Sequence, residues 1–484
     1  MKCTLIPALG LFALSASAAP PNLVVIHTDE HNFRTLGCYR KVMAPELGFM
    51  WGREAVVETP HIDSLADRGV LCTSFYATSP VCTPSRAAMM SGMSPHAAGS
   101  PSNNLPLKDE VVTFAEVLGR EGYATAYFGK WHLDGGGKPQ WAPKRKFGWA
   151  DNRYMFNRGH WKKFEETAEG PAVAARDKNG KPGYGVEGAD EKTFATDWLI
   201  DRSIEFVKAS RNKPFCAFVS LPDPHGPNSV RAPYDTMFDG VEFKDPRSMR
   251  REPESIPSWG RGEVTKLNQN AMQDYLGMVK CIDDNVGKLL GVLKEEGILD
   301  NTVVVFTSDH GDLMGEHARH NKGVPYETSA GVAFVAAGPG LAQGKVVGAA
   351  MDMTDFGPSM LALLGSERTM NQAHGRDVSE LLQTGEVPKG WNDLVCLRST
   401  TKLDAPSNWL AAVSDRWKLV VSIHEEPWLF DLQKDPYELH NMAKKQPERV
   451  GQMASALHAW LEKTDDPALG SQKYQQIFKS LAGK

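Results

Sequence analysis

Six places in this sequence hold residues whose types and spacing could do chemistry. They are Asp29-Glu30, Cys82 with Arg86 four residues on, Lys130 with His132, His225 between two prolines, Asp309-His310, and Lys322. Carboxylates with oxygen-rich neighbours select a hard divalent cation, Ca²⁺ or Mg²⁺, over zinc. Arg86, Lys130 and Lys322 would add positive charge around the same pocket, which then suits an anion with several oxygens, a sulfate or a phosphate. The cation and the lysines would stabilise charge developing on that group. His225 is a candidate to protonate a leaving oxygen. Each residue alone has a plainer reading: a helix cap, a surface charge, a histidine on a carbonyl. Their joint placement argues for a site.

The elements that must position them can be read from the pattern. Asn22–Thr28, Leu71–Ala77, Ala124–Phe128, Pro214–Leu221 and Asn301–Ser308 are short apolar, β-branched runs read as buried strands. The ionisable groups follow directly on these runs, and ligands in open α/β sheets gather at the carboxyl ends of strands. Cys82 sits just before a helix N-terminus, because Pro84 fits a first turn and Ala87 to Met90 propagate a helix. Free N–H groups and the helix dipole there favour an anion. Arg86 lies one turn along, beside the cysteine. Further helices are expected from Thr59-Pro60 to Gly69, Thr113 to Gly122, Thr193 to Ala209, and about Lys266 to Glu296, with Gly277 and Gly287 as candidate breaks in the last.

Strand, loop and helix repeat through to Leu364. That pattern predicts an α/β fold whose large, mostly parallel sheet is sandwiched by helices. Near Gly365 the character changes. Trp409–Ser414, Trp417–Ile423 and Trp428–Leu432 are closely spaced strands, expected to form a smaller antiparallel sheet closed by a helix from about Glu448 to Lys463. The division is 20–370 for the catalytic domain and 371–484 for a C-terminal α+β subdomain. Two polar stretches, 133–188 and onward from His225 to about Val264, read as insertions or binding loops.

The 484 residues are 41% hydrophobic and 23% charged, and the net charge of -5 argues against a nucleic-acid binder, which would usually show a strong basic excess. Met1 to Ala19 has Lys2, an apolar run from Leu5 to Leu14 and small residues at its end, the pattern of a signal peptide. A periplasmic or secreted protein is the expectation, with no membrane span, since no later segment is apolar enough. Six of the seven cysteines lie beyond that leader, widely and irregularly spaced, so no disulfide framework is expected.

Cys82-Thr83-Pro84-Ser85-Arg86 matches the Cys-x-Pro-x-Arg sequence of type I sulfatases, members of the alkaline phosphatase superfamily. Asp29-Glu30, Gly129-Lys130-Trp131-His132, Asp309-His310-Gly311 and Lys322 stand in the family's order, as do Leu429–Leu432, Asp435–Glu438 and Asn441. The resemblance covers nearly the whole chain after the leader. It implies that a maturation enzyme oxidises Cys82 to Cα-formylglycine. The hydrated aldehyde carries two hydroxyls, one to attack sulfur and the other to expel sulfate by collapse. The resemblance also implies that Asp29, Glu30, Asp309 and His310 bind Ca²⁺, or Mg²⁺, together with the modified Cys82. Arg86 and Lys130 would hold the formylglycine oxygens, His132 would assist collapse, and His225 and Lys322 would face the leaving oxygen. Two positions depart from the family: Glu30 stands where a second aspartate is usual, and His310 where an asparagine is common.

Specificity should come from the insertions, because loops over a fixed scaffold carry it. Arg158 and Trp161 in the first, and Arg319 and His320 near Lys322, are the candidate substrate-binding residues, offering rings for sugar faces and cations for further anions. Together with export they suggest a sulfated polysaccharide, a carrageenan-like galactan or a glycosaminoglycan. A phosphonate or phosphate monoester hydrolase of the same superfamily, or a non-catalytic binder of sulfated glycans if Cys82 stays a thiol, are the other two readings.

Overall fold

The strand Asn22–Asp29, β1, is buried along its whole length and lies inside an eight-stranded sheet. The computed structural model of the chain describes residues 19–250 and 256–481. The leader expected at Met1 to Ala19 lies outside the described residues up to position 18. The other strands of the large sheet are β2 (Val70–Cys72), β3 (Ala124–Lys130), β4 (Met155–Phe156), β5 (Phe215–Pro224), β6 (Thr302–Ser308), β7 (Phe334–Ala337) and β8 (Lys345–Val347). Their order across the sheet is β8-β2-β7-β6-β1-β5-β3-β4. All neighbours run parallel except β7, which is antiparallel to both β2 and β6.

Side chains alternate across the sheet, so each central strand feeds two cores. Leu23, Val25, Cys216, Phe218, Val303 and Val305 face one core with α2 (Cys82–Ser91) and α5 (Met353–Leu363). Val24, Ile26, Ala217, Val219, Val304 and Phe306 face the other, with α1 (Pro60–Arg68), α3 (Ala195–Ser210) and α4 (Gln269–Glu295). The helix α4 runs unbroken through both glycines expected to interrupt it. There the missing side chain serves close packing: a Cβ on Gly277 would meet the Tyr234 carbonyl at 2.5 Å, and one on Gly287 the His61 ring at 2.6 Å. The single strand expected at Leu71–Ala77 is two short pieces, β2 and a Phe75–Tyr76 pair in a separate two-stranded sheet.

The small sheet is antiparallel with four strands, β9 (Val395–Arg398), β10 (Leu410–Val413), β11 (Trp417–Ser422) and β12 (Glu425–Asp431). Its first strand was not expected. One face packs on α6 (Pro447–Lys463) and the other on Tyr76, Trp259 and Tyr326 of the preceding chain. The buried Lys418 ties the two parts together through Glu327, at 2.6 Å, and Glu438, at 2.8 Å. The six cysteines of the described residues are free and buried. No helix of the described residues is long and apolar enough to cross a membrane.

Candidate active site

The parallel register of β1 and β6, with Thr28 opposite Ser308, brings Asp29 and Asp309 side by side at the carboxyl edge. Between them reaches Arg86 from α2, 1% exposed. Its Nε donates to Asp309 Oδ2 at 2.9 Å and its Nη2 to Asp29 Oδ2 at 3.1 Å. Its Nη1 donates to the Lys130 carbonyl at 2.7 Å and to Ser220 Oγ at 2.8 Å, so one guanidinium joins the ends of β1, β3, β5 and β6. Arginine suits this task because its planar fork serves several acceptors at once.

Cys82 is the first residue of α2 itself. Its Sγ lies 3.7 Å from Asp29 Oδ1 and 3.3 Å from His310 Nε2. Burial and Asp29 oppose a thiolate, but Lys130, Lys322 and His310 draw the thiol below its usual range. His310 Nδ1 donates to the Gly311 carbonyl at 3.0 Å, which leaves Nε2 for the cluster. Burial disfavours its charge, yet the Asp309 carboxylate beside it raises the ring to about 9. Lys130 meets Asp29 Oδ2 in a very short ion pair. Against the cost of burial, Lys130 and Arg86 hold the Asp29 carboxyl well below the ordinary carboxylate range.

Asp29, Cys82, Asp309 and His310 offer ligand atoms that all lie within 4.8 Å of one another, and all four residues are buried. Two carboxylates and an imidazole fit a divalent cation, but a sulfur does not suit a hard one. An oxygen at position 82 would complete the set. Glu30 lies apart from this cluster. Its Oε2 is 2.8 Å from Lys322 Nζ and 2.8 Å from His225 Nε2, and its Oε1 is buried without a hydrogen bond. His225 and Lys322 pull its carboxyl down to about 2 in spite of burial. The extra methylene and the left-handed backbone of Glu30 (φ 61°) accompany this different placement.

Two rows of side chains rise from the end of β1. Asp29 carries Lys130, whose Nζ is 2.7 Å from His160 Nε2. Glu30 carries Lys322, whose Nζ is 2.8 Å from His225 Nε2. The rings of His160 and His225 close the rows by stacking at 3.4 Å, 7° from parallel. Burial and Lys130 hold His160 well below the ordinary histidine range, so its ring is neutral. His225 Nδ1 donates to the Gly226 carbonyl at 2.8 Å, which assigns proton exchange to Nε2. His132 is different again: Nε2 donates to Asn104 Oδ1 at 2.9 Å while Nδ1 is buried and unpartnered. Burial, Lys130 and Arg86 lower its pKa to about 2.

The substrate-binding candidates divide. Arg158 is half-buried, donates to the Gly136 carbonyl at 2.9 Å, and is near enough to His132 to help depress it. His320 is exposed and senses the Glu30 charge. Arg319 turns to the Arg261 carbonyl. Trp161 is 2% exposed, stacks on Tyr184 at 4.6 Å and donates to the Arg158 carbonyl, so it braces the loop and offers no open face to a sugar. Gly159 makes this possible: at φ 118° its missing Cβ would lie 2.3 Å from the Trp161 ring. Asn104 and Ser220 are site residues that the sequence did not single out, and neither sits in a pattern that marks it; His160 stands in the insertion from which specificity was expected, beside Arg158 and Trp161.

The sulfatase family profile matches residues 21–366, and that of the N-sulphoglucosamine sulphohydrolase C-terminal region matches 315–466. The chain is similar to the ulvan-active sulfatase of Formosa agariphila, 29% identical over 436 residues that cover 88% of this chain and 77% of the relative. Its fold is similar to that of BT4656, solved in complex with its substrate D-glucosamine-2-N,6-O-disulfate. That match has a TM-score of 0.73 at 21% identity, over 93% of this chain and 99% of the other. It is also similar to the phosphonate monoester hydrolase of Agrobacterium radiobacter, with a TM-score of 0.70 at 22% identity over 92% and 96%. At these identities the two structures speak for the fold, while the family profile spans most of the chain. The chain belongs to the sulfatase family of the alkaline phosphatase superfamily, enzymes that hydrolyse sulfate esters.

Proposed function

We propose that the chain removes sulfate from a sulfated polysaccharide or oligosaccharide, as a periplasmic or secreted enzyme. Residues 20–370 would form the catalytic domain, beside a C-terminal subdomain of 371–484. The observation that carries the activity is the buried cluster of Asp29, Cys82, Asp309 and His310 beneath the cationic groups of Lys130 and Lys322. The carbohydrate part is supported by the Formosa agariphila relative, an ulvan-active sulfatase, and by Arg158 and His320 at the mouth of the site.

Asp29, Asp309, His310 and residue 82 would hold the cation, Ca²⁺ by preference and Mg²⁺ as the alternative. When bound, it polarises sulfate oxygens and steadies an ionised hydroxyl. Formylglycine at position 82 would supply, as its hydrate, two hydroxyls on one carbon, one as nucleophile toward sulfur and one for the release of sulfate. The chain's own groups do the rest. Arg86 fixes both aspartates, and Lys130 presents positive charge beside residue 82. His225 Nε2 lies 2.8 Å from Glu30 Oε2 and 2.8 Å from Lys322 Nζ, and a proton carried on Nε2 passes to the departing alcohol oxygen. The unpartnered Nδ1 of His132, on a ring kept neutral by burial, Lys130 and Arg86, offers a hydrogen-bond acceptor to the hydroxyl that expels sulfate.

A phosphonate or phosphate monoester hydrolase is the second reading, because Arg86, Lys130 and Lys322 stabilise a tetrahedral oxyanion whether it is built on sulfur or phosphorus. Rates on an aryl sulfate, an aryl phosphonate and a panel of defined sulfated oligosaccharides separate the readings. The proposal expects the highest kcat/KM on an oligosaccharide. A preference for the phosphonate would overturn it, and binding without turnover would identify a glycan-binding protein.

A further inference from the structure

A cavity of 480 Å³ opens at the start of α4, within the size of small-molecule sites. It adjoins the Glu30, Lys322 and His225 side of the site. Asn321 precedes Lys322, Asn228 follows His225 by three residues, and Tyr275, also in its wall, donates to the Glu30 carbonyl at 2.8 Å. Both Asp312 and His320 in the wall sense the charge of Glu30.

The chemistry of the wall is uneven. Four asparagines line it, Asn228, Asn268, Asn270 and Asn321, with the carboxylates of Asp274 and Asp312, over an apolar floor of Met272 and Met314. Neither lysine nor arginine lines it among the described residues. The side-chain amides of Asn270 and Asn321 hold no hydrogen bond among the described residues. Amides donate to and accept from the vicinal hydroxyls of a sugar, carboxylates accept from them, and thioethers suit the C–H face of its ring. A second sulfate or a uronate would meet the carboxyl groups of Asp274 and Asp312, with no lysine or arginine in the wall to pair with it.

We propose that this cavity binds the sugar next to the sulfated one on the leaving-group side, and that it takes an uncharged, hydroxyl-rich unit in preference to an anionic one. This rests on the carbohydrate sulfatase reading above. It gives that reading a polarity: cationic groups gather where sulfate is cut, and amides gather where its neighbour lies.

The test uses two oligosaccharides with the same sulfated unit, one with a neutral hexose beside it and one with a hexuronate. 4-Nitrophenyl sulfate serves as a control that does not reach the cavity. The wild type should prefer the neutral neighbour by about tenfold in kcat/KM. Asn270→Ala, on the exposed first turn of α4, should raise KM for that substrate about threefold or more and leave 4-nitrophenyl sulfate unchanged. Asp274→Lys should shrink the preference by at least about threefold. Equal rates on the two oligosaccharides, or variants that alter neither, would overturn the subsite while leaving the sulfatase reading intact. Turnover of 4-nitrophenyl sulfate with no oligosaccharide cleaved would overturn the carbohydrate reading itself, and the subsite with it.

Discussion

The floor of the site and its rim are built by different rules. On the floor, Asp29, Arg86, Lys130, Asp309 and His310 are 0–1% exposed, and each is held by at least one of the others. On the rim, the His160, His225 and Lys322 side chains are 22%, 16% and 15% exposed, Arg158 is half-buried and His320 is exposed. Sheet register fixes the floor, because parallel neighbours β1 and β6 must deliver Asp29 and Asp309 together. The rim comes from loops, whose side chains are placed by packing partners distant in sequence. Chemistry common to sulfate esters therefore belongs to the floor, and choice among substrates belongs to the rim.

The sharpest way to probe this division is His225, where rim and floor meet. His225→Gln should lower kcat on an unactivated sugar sulfate by roughly a hundredfold or more. The loss on 4-nitrophenyl sulfate should be far smaller, because that leaving group needs no proton. Equal losses on both would remove His225 as the acid. Next comes Arg86→Met, which leaves two buried carboxylates facing each other. Denaturant unfolding should show a loss of about 3–5 kcal/mol, as for other broken buried pairs. A loss below 1 kcal/mol would mean the floor is not held by this guanidinium.

A smaller effect concerns pH. His132 has a folded pKa of about 2, against an ordinary value of 6.5. The unfolded chain then binds a proton below pH 6.5 that the folded chain refuses, so the contribution of His132 is present above that pH and lost as pH falls. Relative to His132→Asn, the wild type should lose up to about 1.4 kcal/mol per pH unit below 6.5. Parallel stability curves for the two proteins would show instead that His132 titrates normally. The smallest effect is on the rim. Arg158→Ala should raise KM for a sulfated oligosaccharide a few-fold, roughly 1 kcal/mol, and leave 4-nitrophenyl sulfate unaffected; a change on both substrates would move Arg158 to the floor.

Legibility in the sequence follows the same line. Strand ends announce themselves, since an apolar run such as Asn301–Ser308 must stop at the sheet edge and Asp309-His310 follows at once. The fold class and the cluster of Asp29, Cys82, Asp309 and His310 could be read that way. Glu30 could not: its chemical type suits a cation, but its contacts with Lys322 and His225 depend on two loops far along the chain. Trp161 misled for a related reason. An aromatic residue in an aperiodic stretch looks available, yet Tyr184 and Gly159 bury it. His160 stands in the same stretch, and only the fold shows that its ring meets His225. The strand Val395–Arg398 carries no alternation strong enough to announce it before its partner Leu410–Val413 is known.

The central claim is that residue 82 works as an oxygen nucleophile made from cysteine. Turnover of 4-nitrophenyl sulfate by wild-type protein from a host that carries the maturation enzyme, compared with Cys82→Ser from the same host, tests it most directly when the mass of the residue-82 peptide is read alongside. The account predicts the mass of an aldehyde at position 82 in the wild type and a fall in kcat of roughly a thousandfold or more in the variant, which should still bind substrate. Near wild-type turnover by Cys82→Ser, or full activity in protein whose Cys82 is still a thiol, would contradict it.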